Sequence, residues 1–253
     1  MQRYIFLDLD DTVFQTRKKC PASAEQLATC ASLPTGVANS FATEKQQWLW
    51  HWLNAGFKVI PVTGRDADAF NRVQLGFQNE IVLNHGAVIL NARRQLDLNW
   101  MQHMQEHLSL CQTEFAELWC EIEAYCARHA RFQPRLVSDF DVTWYGVIKH
   151  ADKTEAHLRP LLETVIKPHP SICQGNLYWH LNGNNLAVLP RVLNKESAVR
   201  YLLQQYQQQG PVLSFAAGDS LSDAPFLALC DYAIIPKNTQ LHQATFQPYS
   251  TQA

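Results

Sequence analysis

The chain has no C-x-x-C pair, no block of like charge and no apolar run long enough to cross a bilayer, and each absence removes a class of function. Its seven cysteines (Cys20, Cys30, Cys111, Cys120, Cys126, Cys173 and Cys230) are odd in number and scattered. That pattern suits reduced core thiols better than a disulfide framework or a zinc site. A formal net charge of -2 over 253 residues, with no long basic or acidic run, leaves no electrostatic footprint for nucleic acid or an anionic membrane surface. No segment reaches the roughly 18 apolar residues of a membrane span, and Met1 is followed by a strand-like run, not a basic region with an apolar signal segment. We therefore expect a cytoplasmic protein with neither a nucleic-acid nor a membrane partner. What the chain does have is hydrophobic material, 47% of its residues, enough for one large core or for a core and a smaller domain.

Strand and helix patterns alternate at both ends of the chain and change character in the middle. "RYIFLDLD" (3 to 10) reads as a buried strand. Thr43 and Gln46 form a T-x-x-Q capping box for a helix through "EKQQWLWHWLNAG", closed by Gly56. "FKVIPVTGR" (57 to 65) is the next strand, followed by a helix around 66 to 76, the strand "EIVLNHGAVIL" (80 to 90) and, much later, "PVLSFAAGDS" (211 to 220). Strands separated by helices of this length predict a parallel sheet. Between Asn91 and Pro190 the spacing predicts a long helix (about 100 to 130), paired strands "RLVSDFD" and "VTWYGVIKH", a helix at 152 to 166, and a hairpin turning on Asn182-Gly183. The expected fold class is α/β, with a parallel-sheet core carrying an inserted α+β domain of order αββαββ.

In an open α/β sheet, ligands sit beyond the carboxyl ends of the strands. Asp8, Thr63 and Asp219 all fall there. Carboxylates gathered at one edge raise each other's pKa unless a cation sits between them. Mg²⁺ prefers oxygen ligands and few protein carboxylates, which suits Asp8 and Asp219 with a backbone carbonyl better than any His/Cys site. Asp8 and Asp10 lie two residues apart at a strand end, so both are expected to face one substrate.

Four segments then resemble, in order, the four motifs of the haloacid dehalogenase (HAD) superfamily. They are D-x-D-x-T at Asp8-Leu9-Asp10-Asp11-Thr12, Thr63-Gly64-Arg65, Lys195, and Gly218-Asp219-Ser220-Leu221-Ser222-Asp223. "NHGAVI" (84 to 89) and "LAVLPRVLNKESAVRYL" (186 to 202) resemble the segments flanking the large cap in the Cof-like and sucrose-phosphate-phosphatase-like branch. The resemblance implies a Rossmann-like core over residues 1–90 and 186–253 and a type C2B cap over 91–185. It also implies a Mg²⁺-dependent phosphomonoester hydrolase acting on a small phosphorylated metabolite, with a sugar phosphate the leading substrate. A phosphotransferase or phosphomutase, and a non-catalytic phosphate-ligand binder, are the alternatives.

By the same resemblance, Asp8 is the nucleophile that forms an aspartyl-phosphate and Asp10 the general acid and base. Thr63, Gly64 and Lys195 hold the phosphoryl oxygens, and Asp8, Asp10, Asp219 and Asp223 form the metal set. Arg65 either contacts substrate or pairs with a nearby carboxylate. Asp11 stands where the family often has Gly, and Ser222 where the branch usually has Asn.

The cap is expected to carry specificity, with Trp144, Tyr145, Lys149, Trp179 and His180 as either substrate contacts or cap core. His85 reads as a structural turn residue, "WLWHWL" (48 to 53) as a buried helix face, and the stretch from Glu25 to Phe41 as a surface insertion. The sequence does not reveal an oligomeric state.

Overall fold

A run of apolar side chains makes β1 (Gln2–Leu7), whose last four residues are all buried, as befits a parallel strand covered on both faces. The computed structural model describes residues 1–22 and 26–247; Glu25, the first residue of the expected insertion, lies outside them. After β1 come β2 (Gln15–Thr16), β3 (Ala28–Ser32) and β4 (Ala38–Ala42), which form a small antiparallel sheet in the order β2-β4-β3. The expected insertion thus has its own β-structure. Helix α1 (Glu44–Gly56) starts with the expected capping box, in which the Gln46 amide N–H donates to Thr43 Oγ1 and the Thr43 N–H donates to Gln46 Oε1.

The buried face expected for "WLWHWL" is not found. Only Leu53 of α1 is buried, while Trp48 and Trp52, one turn apart on the outward side, are 70% and 55% exposed. Strand β5 (Lys58–Pro61) pairs parallel with β1. Helix α2 (Ala67–Asn71) is far shorter than the expected 66–76. Its continuation is diverted because Gln74 N–H donates to the Cys30 carbonyl and Val73 bridges Ala31. The single strand expected over 80–90 is a hairpin, β6 (Ile81–Leu83) and β7 (Val88–Leu90). Asn84, His85 and Gly86 all take left-handed φ values, 50°, 56° and 100°, and reverse the chain between them.

Residues Leu98–Leu193 form a compact unit of their own, distinct from Met1–Asp97 with Asn194–Ala253. The long helix expected here is two, α3 (Leu98–Ser109) and α4 (Gln112–Arg128). They part where the final turn of α3 tightens to a Leu110 N–H to His107 carbonyl bond and Cys111 leaves the helical region at φ -118°, ψ 11°. Strands β8 (Phe132–Asp139) and β9 (Val142–His150) are joined through Phe140 and Asp141, both at positive φ, the backbone a two-residue type I′ hairpin requires.

In place of one helix over 152–166 the chain makes a 3₁₀ turn (Glu155–His157), α5 (Arg159–Leu161) and a π-helical turn (Leu162–Ile166), then α6 (Pro170–Cys173). Strands β10 (Leu177–Leu181) and β11 (Leu186–Pro190) form the hairpin signalled by Asn182-Gly183. The sheet order β10-β11-β9-β8 carries a layer of Leu118, Trp119, Ile122, Leu158, Leu162 and Ile166. Because β11 pairs with both β9 and β10, residues 186–193 stay in this unit, and the crossings fall at 97/98 and 193/194, not at 90/91 and 185/186. Of the candidates in this unit, Trp144 is fully buried with its indole N–H on the Asp139 carbonyl, Trp179 packs against the core, and Lys149 is exposed.

The chain returns through α7 (Lys195–Gln208), β12 (Val212–Ala217), α8 (Ala224–Leu227), β13 (Tyr232–Ile234) and α9 (Gln240–Phe246). The main sheet is wholly parallel in the order β13-β12-β1-β5. Its register sets Leu7 beside both Ala217 and Pro61, so Asp8, Gly218 and Val62 emerge together at the carboxyl edge. Among the described residues no helix is long and apolar enough to cross a membrane. All seven cysteines are free. Cys20, Cys30 and Cys111 are buried as core thiols, whereas Cys120 and Cys173 are exposed.

Candidate active site

The residue after β1, Asp8, is tied to the neighbouring strand by its N–H, which donates to the Ala217 carbonyl at 2.9 Å. Its carboxylate is buried and held at both ends, with Thr12 Oγ1 donating to Oδ2 at 2.9 Å and Lys195 Nζ donating to Oδ1 at 2.6 Å. Lys195 opens α7, whose N-cap Asn194 accepts from Ser197 N–H. It is no solvated helix lysine: it is 6% exposed, and a second bond of 2.6 Å reaches Asp223 Oδ1. Gly86 fixes where α7 begins, since a Cβ there would lie 2.2 Å from the Asn194 carbonyl oxygen.

After β12 the chain turns tightly at Gly218, where a Cβ would meet Asp223 Cβ at 2.6 Å. The other oxygen of Asp223 accepts from the N–H groups of Asp219 and Ser220 and from the Ser220 hydroxyl, at 2.9 to 3.1 Å. Ser222, the departure from the branch pattern, sits 2.8 Å from that hydroxyl.

The charges do not balance inside this network. Burial pushes the Asp8 carboxyl up to about 7, with Lys195 working against the shift and Asp223 adding to it. Burial, then Asp8 and Asp223, push Asp219 up to about 8. For Asp223 burial also opposes the charged form, but Lys195 and the Ser220 donors outweigh it and hold this carboxyl below its usual range. Lys195 is held protonated by the same two aspartates despite its burial. One ammonium thus serves three buried carboxylates, whose oxygens from Asp8, Asp219 and Asp223 lie within 4.8 Å of one another. A set of hard anionic oxygens with no imidazole or thiolate fits Mg²⁺, and a divalent cation removes the charge imbalance.

Asp8 and Asp10, expected to face one substrate, take different hydrogen-bond partners, although the Asp10 charge still helps to raise the Asp8 carboxyl. Asp10 is exposed and its carboxylate is gripped by the Arg65 fork, with Nε and Nη2 each donating at 2.7 Å. Its side chain therefore belongs with Arg65 and not with the acidic trio. The reason is local: β1 ends at Leu7, so the alternation that puts residues two apart on one face no longer applies; Asp11 follows at φ 64°, in the left-handed region that Asp and Gly both tolerate. Arg65 is thereby found in the ion pair, with Nη1 also donating to the Ala69 carbonyl and the guanidinium 5.2 Å from the Phe14 ring. Thr63 is buried, its hydroxyl accepting from Arg65 N–H at 3.2 Å. Gly64 packs against His85, whose ring a Cβ would approach to 2.5 Å, so the His85 turn backs the Thr63-Gly64 loop. Two supporting groups carry no role that the sequence alone assigns: Thr12, although it closes D-x-D-x-T, and Ser220.

The family model described as sucrose-6F-phosphate phosphohydrolase matches residues 1–250. The sucrose-phosphatase of Synechocystis sp. PCC6803, solved in complex with sucrose and phosphate, superposes with a TM-score of 0.57 at 16% identity, over 100% of this chain and 90% of that one. A trehalose-6-phosphate phosphatase related protein gives 0.52 at 18% identity over 94% and 88%. The C-terminal domain of the C. albicans trehalose-6-phosphate phosphatase gives 0.51 at 14% over 89% and 72%. No curated protein sequence matches the chain.

Proposed function

Since the chain belongs to the sucrose-6F-phosphate phosphohydrolase family of HAD-superfamily phosphatases, we propose that it hydrolyses a sugar phosphate, with Mg²⁺, through a phosphoryl group carried on Asp8. The observation that carries this reading is the buried Asp8–Lys195–Asp223 network with Asp219 beside it. A carboxylate that burial drives toward neutrality is kept as a nucleophile only by a fixed cation, and Lys195 supplies one at 2.6 Å. Thr12 and Lys195 hold separate oxygens of Asp8, which fixes the rotamer from which it meets phosphorus.

Asp8 Oδ attacks the phosphorus, the P–O ester bond breaks, and the sugar oxygen leaves with a proton from Asp10. Asp10 then takes a proton from water, whose oxygen attacks the same phosphorus and returns Asp8 as a free carboxylate. Arg65 holds Asp10 on the exposed rim through both carboxylate oxygens, and the acid–base role requires substrate to displace that pair. Thr63 and the Gly64 backbone border the phosphoryl position. Asp8, Asp219 and Asp223 would hold Mg²⁺, which supplies positive charge to the transferring phosphoryl group and shields the carboxylates from it.

Sugar phosphates are favoured because the family model describes a sucrose-6F-phosphate phosphohydrolase and one structural relative was solved with sucrose and phosphate. The test is phosphate release from a panel of sucrose 6-phosphate, trehalose 6-phosphate, hexose phosphates and nucleotides, with Mg²⁺ and with EDTA. Release confined to sugar phosphates and abolished by EDTA is expected. Preferential cleavage of nucleotides, or full activity in EDTA, would overturn the proposal.

A further inference from the structure

A second group of ligand-type side chains lies in the inserted unit, and phosphoryl transfer makes no use of it. His150 ends β9, Asp152 comes next but one in the turn, and His157 closes the 3₁₀ turn Glu155–His157. One atom from each lies within 4.8 Å of the other two. Asp152 Oδ2 is 3.5 Å from His150 Nδ1 and 4.0 Å from His157 Nε2. A tetrahedral zinc ion with bonds of about 2.0–2.1 Å sets its donor atoms roughly 3.4 Å apart, so both separations from Asp152 Oδ2 lie within a small side-chain adjustment of that spacing, and the imidazole nitrogens are no more than 4.8 Å apart.

We propose that His150, Asp152 and His157 form a binding site for a divalent transition metal of the zinc class, with water as the fourth ligand. Two imidazoles and one carboxylate favour zinc over the oxygen-seeking Mg²⁺ and Ca²⁺. Two of the three ligands are also oriented from behind, as metal-binding side chains require. Thr154 Oγ1 lies 2.5 Å from His157 Nδ1; with that nitrogen donating its proton to the hydroxyl, Nε2 keeps its lone pair toward Asp152. Arg131 holds Asp152 Oδ1 at 2.5 Å and leaves Oδ2 to the rings, at the cost of a nearby positive charge.

His150 is the most firmly placed. Its backbone N–H and carbonyl are both taken by the Asn184 amide at 2.9 and 2.8 Å, and its ring meets the Phe132 ring edge-on at 5.0 Å. Its Nδ1 accepts the Asp152 N–H at 3.2 Å, so this nitrogen carries a lone pair and needs only to give up one long hydrogen bond. The two imidazoles stack with centroids 4.5 Å apart. His157 is half exposed and can swing to complete the site, with its open side reached by solvent.

The test is calorimetric titration of the whole protein with Zn²⁺ in excess Mg²⁺, comparing wild type with His157→Gln and Asp152→Asn, and Co²⁺ absorption on the same three proteins. Both replaced side chains are outside the core, so circular dichroism should show unchanged folds. Wild type should bind one more Zn²⁺ than either variant, or bind it at least about 100-fold more tightly, and only wild type should give the intense visible bands of tetrahedral Co²⁺. Thr154→Val should weaken the site about tenfold. Equal Zn²⁺ stoichiometry and affinity in wild type and both variants, or identical Co²⁺ spectra, would overturn the proposal. Zinc bound only at the Asp8–Asp219 carboxylates would produce that same equality.

Discussion

Lys195→Met keeps most of the lysine stem and deletes the one ammonium among Asp8, Asp219 and Asp223. Removing one partner of a buried ion pair costs about 3–5 kcal/mol, because the remaining charge is left without compensation. Lys195 serves two partners, each at 2.6 Å, which places the loss at the upper end of that range. At about 2–4 °C per kcal/mol for a protein of this size, the metal-free Tm should fall by about 10 °C or more.

The loss must also depend on pH, with a definite sign. In the folded metal-free protein Asp8 and Asp219 titrate at about 7 and about 8, against 3.8 for an unperturbed Asp. The folded state therefore holds protons that the unfolded chain has released, and stability falls as pH rises through that window. Without Lys195 the window moves higher and the fall steepens, so the gap between variant and wild type should widen from pH 6 to pH 9. Thermal unfolding by circular dichroism in EDTA reads both quantities, and saturating Mg²⁺ should recover part of the loss. A gap below about 2 °C at pH 9, or one that narrows as pH rises, would refute the buried-charge reasoning.

Mg²⁺ should raise the wild-type Tm more at pH 8.5 than at pH 6, because at the lower pH it must displace protons from Asp8 and Asp219; a shift independent of pH would remove these two carboxylates from the metal site. Asp10→Asn should slow turnover of a sugar phosphate by about 10²- to 10⁴-fold while hurting p-nitrophenyl phosphate less, since that leaving group needs no proton. The same factor on both substrates would exclude Asp10 as the leaving-group acid. Gly146→Ala puts a methyl 2.0 Å from the Trp119 ring and should cost about 1–3 kcal/mol by overpacking, seen as an earlier urea transition; wild-type stability would mean that β9 and α4 pack loosely enough to admit the methyl.

The carboxyl-edge site was legible in the sequence because its signals are local. A buried parallel strand is a short apolar run, and the residue just past its end falls at the sheet edge, as Asp8 and Gly218 do. The hairpin at Asn182-Gly183 was legible for the same reason. Helix α2 was not, because its end is set by a backbone bond from Gln74 to Cys30, a partner 44 residues earlier that no periodicity reports. The outward Trp48 and Trp52 show the converse: an aromatic run says nothing of which face of a helix is covered.

Within the site, Asp8 and Asp219 could be named from the residue pattern and Asp223 and Lys195 from the family resemblance, but the pairing could not. That Arg65 takes Asp10 while Thr12 and Lys195 take Asp8 follows from β1 ending at Leu7, after which side chains two residues apart no longer share a face.

The most direct test of the central claim is to mix enzyme, Mg²⁺ and a sugar phosphate that it hydrolyses, quench in acid, and locate the phosphoryl group by peptide mass spectrometry in wild type and Asp8→Asn. The account predicts a phosphorylated peptide bearing Asp8 in wild type, and neither phosphopeptide nor phosphate release in Asp8→Asn. Phosphate release by Asp8→Asn at a rate near wild type would contradict it.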